Sequence, residues 1–578
     1  MSGLEHHDYD VLVLGSGGSG LRAAIAAADA GARTGLVCKS LLGKAHTVMA
    51  EGGLAASLGN VAPEDNWSTH FQDTMFGGKY LNNWRMAELH AKEAPDRARE
   101  LEHWGAVFDR TPERVMSQRA FGGHTYKRLV HIGDRTGLEM IRTLQDKTVH
   151  SDVEVFMETT ITRLIKDSGR VVGCFGYRRQ TGEQISFSAK ALVIATGGSG
   201  RIYKITSNSQ DCTGDGYALA YEAGTELVDM EFIQFHPTGM VFPPGVAGLL
   251  VTEAVRGEGG ILRNSLGERF MEKYDPKRME LSTRDVVARS IYTEVKEGRG
   301  SEHGGAFLDV SHLDSEYVRK KLPSMYDQFL ELAGVDITKE PMQVGPTCHY
   351  FMGGVKVDSD DGQSRVPGLF ATGEASGGMN GANRLGGNSL GDLLVFGRRA
   401  GEGAAAVANT TASVSLPDDE IAAAKAEIDG YLNGSGTENP FQMHKELQTI
   451  MGDGVGIFRQ KEDLETAIAK LEGLEARVGN LKAPSNRLDY NPGWQLCREV
   501  RNMLTVSQMI ARGALMREES RGAHSRLDHT GYSDYWGEHN IVVHREGEHD
   551  MTHTPIPVVK RGELEDLVEA RKEAEKAS

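Results

Sequence analysis

The stretch VLVLGSGGSGLRAAIAAADAG, residues 11–31, decides the fold. It begins with a continuous apolar run, the pattern of a parallel strand that is covered on both faces. A glycine cluster follows, and the alanine-rich segment behind it ends at Gly31, a residue type that favours the position after a helix. TGLVC, residues 34–38, is a second apolar strand. Together these segments predict a β-α-β unit that binds a dinucleotide.

The glycine cluster has the spacing G-x-G-x-x-G, and each position has a physical reason. Gly15 permits a tight turn, Gly17 lets a pyrophosphate group approach the backbone, and Gly20 lets helix and strand pack closely. In NAD-binding proteins an acidic residue after the second strand binds the ribose. This chain has Lys39 and Ser40 there, which argues against a nicotinamide cofactor and leaves FAD open.

Two later segments favour FAD. Apolar strands end in ATGG at residues 195–198 and in ATGE at residues 371–374. Each places a turn of small residues at the end of a parallel strand, where a long dinucleotide can be lined. Seventy of the 578 residues are glycine, well above the usual share of about 7%.

Composition excludes several classes of protein. The net charge of −17 argues against nucleic acid as a partner, because phosphate binding needs a basic surface. The five cysteines are scattered, which favours a reducing compartment and offers neither a zinc ribbon nor an iron–sulfur run. The sequence has no apolar run of about 18 residues that would span a membrane, and its N-terminus has no signal or transit pattern.

Changes in residue composition and pattern along the chain predict an α/β protein of several domains. We expect a Rossmann-like FAD-binding domain, an inserted α+β capping domain for the substrate, a helical domain and a small C-terminal domain. The predicted bounds are 1–233 and 353–419 for the FAD-binding domain, 234–352 for the capping domain, 420–528 for the helical domain and 529–578 for the C-terminal domain.

Seven stretches, in order along the chain, resemble the flavoprotein subunit of succinate dehydrogenase and fumarate reductase. The resemblance runs from Asp8 to at least His524. The stretches are KAHTVMAEGG (44–53), QFHPTG (234–239), TEAVRGEGG (252–260), TRDVVARS (283–290), HYFMGG (349–354), GANRLGGNSL (381–390) and EESRGAH (518–524).

The resemblance implies that His46 bonds covalently to FAD. The family often has Ser before this histidine, where this chain has Ala45. Without the neighbouring motifs, His46 would be read as a loop histidine bonded to backbone. Asp215 is implied as a ribose ligand, although it could instead cap the helix that follows. The cofactor contacts implied in all are Gly15, Gly17, Gly18, Gly20, Lys39, Ser40, His46, Thr47, Gly52, Gly53, Ala195, Thr196, Gly197, Asp215, Glu374, Asn388, Ser389 and Leu390.

Succinate and fumarate are dianions, so their site needs fixed positive charge and directional donors. The resemblance implies proton transfer through Arg284, with Glu253 and Arg256 as the rest of a relay. Arg289 is the alternative donor, and a salt bridge of Arg284 with Asp285 or Glu280 is the alternative role for that arginine. Phe121 could equally belong to the core. The substrate contacts implied are His236, Thr252, His349, Arg384 and Phe121.

The implied function is succinate oxidation, with fumarate reductase or an L-aspartate oxidase-like enzyme as alternatives. Glu51 stands where succinate oxidisers more often have Gln, which leaves the direction open. A non-catalytic flavoprotein is a further alternative. The resemblance implies an iron–sulfur subunit and membrane anchor subunits that bind quinone, with or without haem, at the cytoplasmic face of a bacterial membrane. It also implies that EESRGAH lies at the surface near that interface.

Overall fold

The computed structural model describes residues 4–547 and 550–576. Its largest sheet has seven strands. Four neighbouring strands and a short fifth one are parallel, and the other two run antiparallel. In space the strands follow the order Val153–Phe156, Thr34–Val37, Glu5–Leu14, Gln184–Ile194, Arg170–Arg178 and Thr159–Asp167, with Leu369–Ala371 also paired to Gln184–Ile194.

Helices cover this sheet and enclose an aliphatic core. The first, Gly18–Asp29, packs against the long helix Asn388–Thr410, and alanines and glycines let the two approach closely. The predicted β-α-β unit is confirmed, with the first strand longer than its apolar run because it begins at Glu5. The other helices of this part are Trp67–Gly77, Trp84–His103, Thr136–Val149 and Asp215–Ala223. A small sheet is formed by Leu54–Ala55, Leu129–Val130 and Gln118–Arg119.

The inserted segment builds an antiparallel sheet with its own hydrophobic core. Its strands lie in the order Ile233–Met240, Met342–Phe351, Ala306–Asp309 and Ile261–Arg263. Its helices are Ala254–Gly257, Met271–Tyr274, Arg284–Lys296, Ser315–Lys321 and Pro323–Ala333. The helix Arg284–Lys296 packs on the first two strands, so its N-terminus lies beside residues of QFHPTG and TEAVR.

The remaining segments form a helical layer and a C-terminal hairpin. The helices are Asp418–Asn433, Pro440–Gly454, Lys461–Val478 and Pro492–Met516, and they share one large apolar core. The hairpin His539–Glu546 and Asp550–Pro557 pairs with Leu227–Val228, which pairs in turn with Gly354–Val355. The charged helix Glu565–Lys576 follows.

The predicted α/β class and its four kinds of part are confirmed, while the exact domain boundaries stay a prediction. One expectation is wrong. EESRGAH does not form surface over most of its length, because Glu519 and His524 have no exposed area and Arg521 is buried. Glu519 accepts from Arg521 at 2.8 Å, and His524 Nδ1 lies 2.8 Å from Arg459 Nη1. The stretch is therefore a buried ionic junction.

Candidate active site

A cavity lies at the carboxyl ends of the parallel strands, with about 1260 Å³ of empty space that includes its open mouth. This is the edge at which open α/β sheets bind their ligands. Most of the predicted cofactor residues line the cavity: Gly15, Gly17, Gly18, Lys39, Ser40, His46, Thr47, Ala195, Thr196, Gly197, Asp215, Glu374, Ser389 and Leu390.

The glycine loop is built for close approach. Gly15 has φ +110°, and a Cβ there would lie 2.3 Å from the Ala195 carbonyl oxygen. A Cβ on Gly20 would lie 1.8 Å from the Gly15 carbonyl oxygen, so Gly20 serves helix packing and does not line the cavity. Among the described residues Thr196 Oγ1 is buried without a partner at the cavity wall. The loop and this free hydroxyl fit an FAD.

Three other predicted cofactor residues lie outside the cavity wall. Gly52 and Gly53 follow the His46 turn, and a Cβ on Gly52 would lie 2.5 Å from the Phe121 ring. Asn388 turns its amide away from the cavity, because Oδ1 accepts from His70 Nε2 at 3.0 Å and Nδ2 donates to Thr74 at 3.0 Å. The side chain of Asn388 therefore holds the loop in place.

His46 begins a short 3₁₀ turn and is half-buried in the cavity wall. Its Nε2 lies 3.4 Å from Asn208 Nδ2, and its Nδ1 has no partner among the residues described. Burial, together with the charge of Arg384, lowers the pKa of His46 to about 4. The imidazole is therefore neutral at pH 7, the form that acts as a nucleophile.

Asp215 lies beside Lys39 in the wall of the cavity. The helix after it is capped by Gly214, so the capping role is not what the structure shows. Lys39 Nζ donates to Asp215 Oδ2 at 2.9 Å. Burial alone would raise the pKa of Asp215, but Lys39 outweighs burial and holds it below the usual value. The carboxylate is therefore ionised.

Arg284 and Arg384 converge on a single neutral oxygen. Gln234 Oε1 accepts from Arg284 Nη1 at 3.2 Å and from Arg384 Nη2 at 3.0 Å. Arg384 Nη1 also donates to Ser389 Oγ at 2.6 Å, and its guanidinium lies 4.3 Å from the centre of the Tyr350 ring. Burial, with Arg284 nearby, lowers the pKa of Arg384 to about 9. Among the described residues Arg384 has no acidic partner, so an anion can take this place.

Glu253 links the two other arginines. Arg284 Nε donates to Glu253 Oε2 at 2.7 Å, and Arg256 Nη2 lies 3.7 Å from the same oxygen. The Gly122 amide donates to Glu253 Oε1 at 2.9 Å. Burial would raise the pKa of Glu253, but Arg284 and Arg256 keep it below its usual value. The three predicted relay residues are therefore in one chain of contacts.

The two predicted histidines face each other beside this cluster. The rings of His236 and His349 are 5.1 Å apart, and the ring of His349 is 5.7 Å from that of His46. Burial lowers the pKa of both His236 and His349 well below the usual value. His236 Nε2 lies 3.0 Å from the Val251 carbonyl oxygen and therefore donates its proton there. Both imidazoles are neutral.

Thr252 and Phe121 have structural contacts as well. Thr252 Oγ1 accepts from the Ala254 amide at 3.2 Å and starts the short helix that carries Arg256. Phe121 is 3% exposed and belongs to the core of the inserted sheet. Gly386, one residue after the Arg384-Leu385 pair, leaves room for that ring.

The two alternatives for Arg284 do not match its contacts. Arg289 donates to Asp285 and to the Gly522 carbonyl oxygen, and so faces away from Glu253. Arg284 itself is bound to Glu253 and Gln234. Gln234 was not predicted as a site residue, although QFHPTG contains it. Its position two residues before His236 on one strand was the signal, because alternate residues share a face.

Comparison with known proteins agrees with this geometry. Residues 10–390 match the family described as FAD binding domain, and residues 444–566 match the one described as fumarate reductase flavoprotein C-term. The succinate dehydrogenase flavoprotein subunit of Coxiella burnetii is 38% identical over 97% of this chain and 98% of its own length. The chain belongs to the succinate dehydrogenase and fumarate reductase flavoprotein family.

Other members of this flavoprotein family are similar over nearly the whole chain. One component of the fumarate reductase (CoM/CoB) of Methanothermobacter marburgensis is 46% identical over 94% of this chain and 98% of its own. The solved Mycobacterium smegmatis Sdh1 in complex with UQ1 is 51% identical, with a TM-score of 0.86, over 96% of this chain and 95% of that one. Within residues 4–547 and 550–576, no helix has the length and apolarity that crossing a bilayer requires.

Proposed function

We propose that this flavoprotein oxidises succinate to fumarate, with FAD held covalently on His46. One observation carries the substrate class. Arg256 and Arg284 contact the carboxylate of Glu253, and Arg384 shares Gln234 Oε1 with Arg284, so the cluster has two more positive than negative charges. Succinate and fumarate carry two negative charges, and the match favours a dianion in a buried site.

The arginines have different roles in this proposal. Arg384 binds one carboxylate of the substrate as a planar fork, the geometry that Lys lacks. His236, His349 and Thr252 hold the other carboxylate and twist it out of the plane of the carbon chain. FAD, when bound, supplies the hydride acceptor. Preorganised positive charge stabilises the negative charge that develops on the substrate.

Arg284 moves the proton. An ordinary guanidinium is a poor base, but here Arg284 Nε donates to Glu253, and Arg256 Nη2 lies 3.7 Å from the same carboxylate. Arg284 gives its Nε proton to Glu253, and the guanidine nitrogen freed in this way takes up the proton that leaves the substrate carbon. During fumarate reduction, Glu253 and Arg256 return a proton to Arg284. The Phe121 ring packs against the turn at Gly52 and Gly53 and forms the apolar side of the substrate site.

The direction rests on similarity. The Mycobacterium smegmatis protein at 51% identity was solved with UQ1, which favours electron transfer to a quinone. The methanogen relative at 46% identity is named as part of a fumarate reductase, so fumarate reduction is the second candidate. We propose an iron–sulfur subunit and membrane anchor subunits as partners, at the cytoplasmic face of the membrane. The predicted L-aspartate oxidase alternative is disfavoured because His46 is present.

The experiment compares both directions on the complex purified from membranes. Initial rates are measured with succinate and an oxidised quinone analogue, and with fumarate and the reduced analogue. Faster succinate oxidation supports the proposal, whereas faster fumarate reduction assigns the second candidate. Co-purifying subunits are identified in the same preparation, and the absence of an iron–sulfur protein would contradict the proposed partner.

A further inference from the structure

One face of the helix Pro492–Met516 contacts residues at the Lys39 end of the cavity. Gln495, Glu499 and Asn502 are spaced i, i+4 and i+7, which places them on the same face of a helix. None of these three residues lines the cavity itself. Each instead contacts a side chain of the FAD-binding part: Gln495 contacts Arg179, Glu499 contacts Lys39 and Asn502 contacts Asp215. They therefore act on the cavity through other side chains.

Glu499 and Asn502 contact the Lys39–Asp215 pair without lining the cavity themselves. Glu499 Oε1 lies 2.8 Å from Lys39 Nζ, which lies 2.9 Å from Asp215 Oδ2. Asn502 Nδ2 donates to Asp215 Oδ1 at 2.8 Å. Thr213 Oγ1 contacts Lys39 Nζ at 2.7 Å and Asp215 Oδ1 at 2.9 Å. Both oxygens of the Asp215 carboxylate are therefore fixed in direction.

Gln495 fixes the backbone at the same place. Gln495 Oε1 accepts from Arg179 Nη2 at 2.7 Å, and Arg179 Nη1 donates to the Lys39 carbonyl oxygen at 2.6 Å. Arg179 Nη1 also lies 3.5 Å from Asp211 Oδ1, a residue of the cavity wall. The main chain and the side chain of Lys39 are thus both tied to one helix.

Chain topology indicates which end of FAD this part of the cavity would hold. The ribose of the adenosine half is bound where the second strand of the β-α-β unit ends, and Lys39 lies two residues after that strand. Asp215 comes from a distant segment and places a carboxylate at this position. The helix lies within residues 444–566, which match a different family from residues 10–390.

We propose that Gln495, Glu499 and Asn502 are positioning residues for the adenosine half of FAD. By fixing Lys39 and Asp215, they make FAD affinity depend on the docked position of the helical layer. The inference rests on the FAD site and on no part of the succinate chemistry. Failure of one is therefore distinguishable from failure of the other.

The test measures flavin binding to the full chain in a His46→Ser background, where flavin is exchangeable. Glu499→Gln removes the charge that pairs with Lys39, and Asn502→Leu keeps the branched shape but removes the amide that donates to Asp215. We expect the Kd for FAD to rise about tenfold in each variant, a change that corresponds to about 1.4 kcal/mol. The Kd for FMN, which lacks the adenosine half, stays unchanged, and ADP loses its ability to compete with FAD in parallel with the rise in Kd.

Glu472→Gln is the matched control, since Glu472 pairs with Arg512 of the same helix on its exposed side. It leaves the Kd for FAD at the parent value. The proposal is overturned if both Glu499→Gln and Asn502→Leu bind FAD within about twofold of the parent. Equal losses of FAD and FMN would overturn it too, because they would mark general damage to the cavity.

Discussion

Arg284 Nε donates to Glu253 Oε2 at 2.7 Å, and the two side chains are only 8% and 1% exposed. A buried ion pair of this kind contributes little net stability, because desolvation offsets the attraction. Because the pair lies between Gln234 and Arg256, we expect its role to be proton transfer. The pair places a proton donor and its source in line beside Arg384, where an anionic substrate can bind.

Arg284→Lys tests this relay. Lys keeps the charge but cannot reach Glu253 and Gln234 together, so we expect kcat for succinate to fall by about 10²–10⁴-fold, the usual contribution of a proton-transfer group. Dye reduction under saturating succinate measures it. Arg289→Lys, five residues along the same helix, is the control. A larger loss in Arg289→Lys than in Arg284→Lys would assign the proton transfer to Arg289.

Gln234→Leu removes the oxygen that holds two guanidinium groups together. We expect KM for succinate to rise by about 10-fold to 100-fold, since a hydrogen bond to a charged group contributes about 1.5–3 kcal/mol. Steady-state kinetics measure KM and kcat separately. Gln343→Leu, on the neighbouring strand and half-buried, is the control and leaves KM unchanged. An unchanged KM in Gln234→Leu would show that the substrate does not meet these arginines.

The cofactor site and the substrate site show how much of the function can be predicted from the sequence. The glycine loop was predicted because its function is local and its spacing is short, whereas the role of His46 was implied only by the resemblance to the family. The roles of Gln234 and of the Asn388 side chain were not predicted. Asn388 binds His70, 318 residues earlier, and Asn502 binds Asp215, 287 residues earlier. No periodicity within one segment reports such a pairing, since it depends on how separate segments dock.

His46→Ser tests the covalent link. The neutral imidazole at the cavity wall is the group that can bond the flavin, so the variant binds FAD without attaching it. Acid precipitation followed by absorbance of the pellet measures the attached fraction, which falls to zero. Lys44→Ala, in the same loop and at the same cavity, keeps the yellow colour in the pellet. Yellow pellets from His46→Ser would place the bond elsewhere.

The buried carboxyl group of Asp392 is expected to make the stability of the fold depend on pH. Burial raises the pKa of Asp392 from about 3.8 to about 7, so the folded chain holds a proton that the unfolded chain has released. The contribution of Asp392 to the free energy of unfolding therefore falls as pH rises from about 4 to about 7, and is constant above that range. The loss is on the order of 4 kcal/mol at about 1.4 kcal/mol per pKa unit.

Asp392→Asn removes this titration while keeping an acceptor for Tyr350. The Tm of the parent relative to the variant falls by a few degrees between about pH 5 and about pH 8. Glu402→Gln, exposed on the same helix, shows no such trend. A difference in Tm that is constant with pH, or that grows in the opposite direction, would contradict a neutral Asp392.

The central claim is that this chain exchanges a hydride with succinate and fumarate at its FAD. Anaerobic titration of the purified chain, followed by the visible absorbance of the flavin, tests it most directly. We predict that succinate bleaches the flavin band, that fumarate restores it, and that Arg384→Met does neither at the same concentrations. A flavin that succinate leaves oxidised, and that L-aspartate bleaches, would contradict the account.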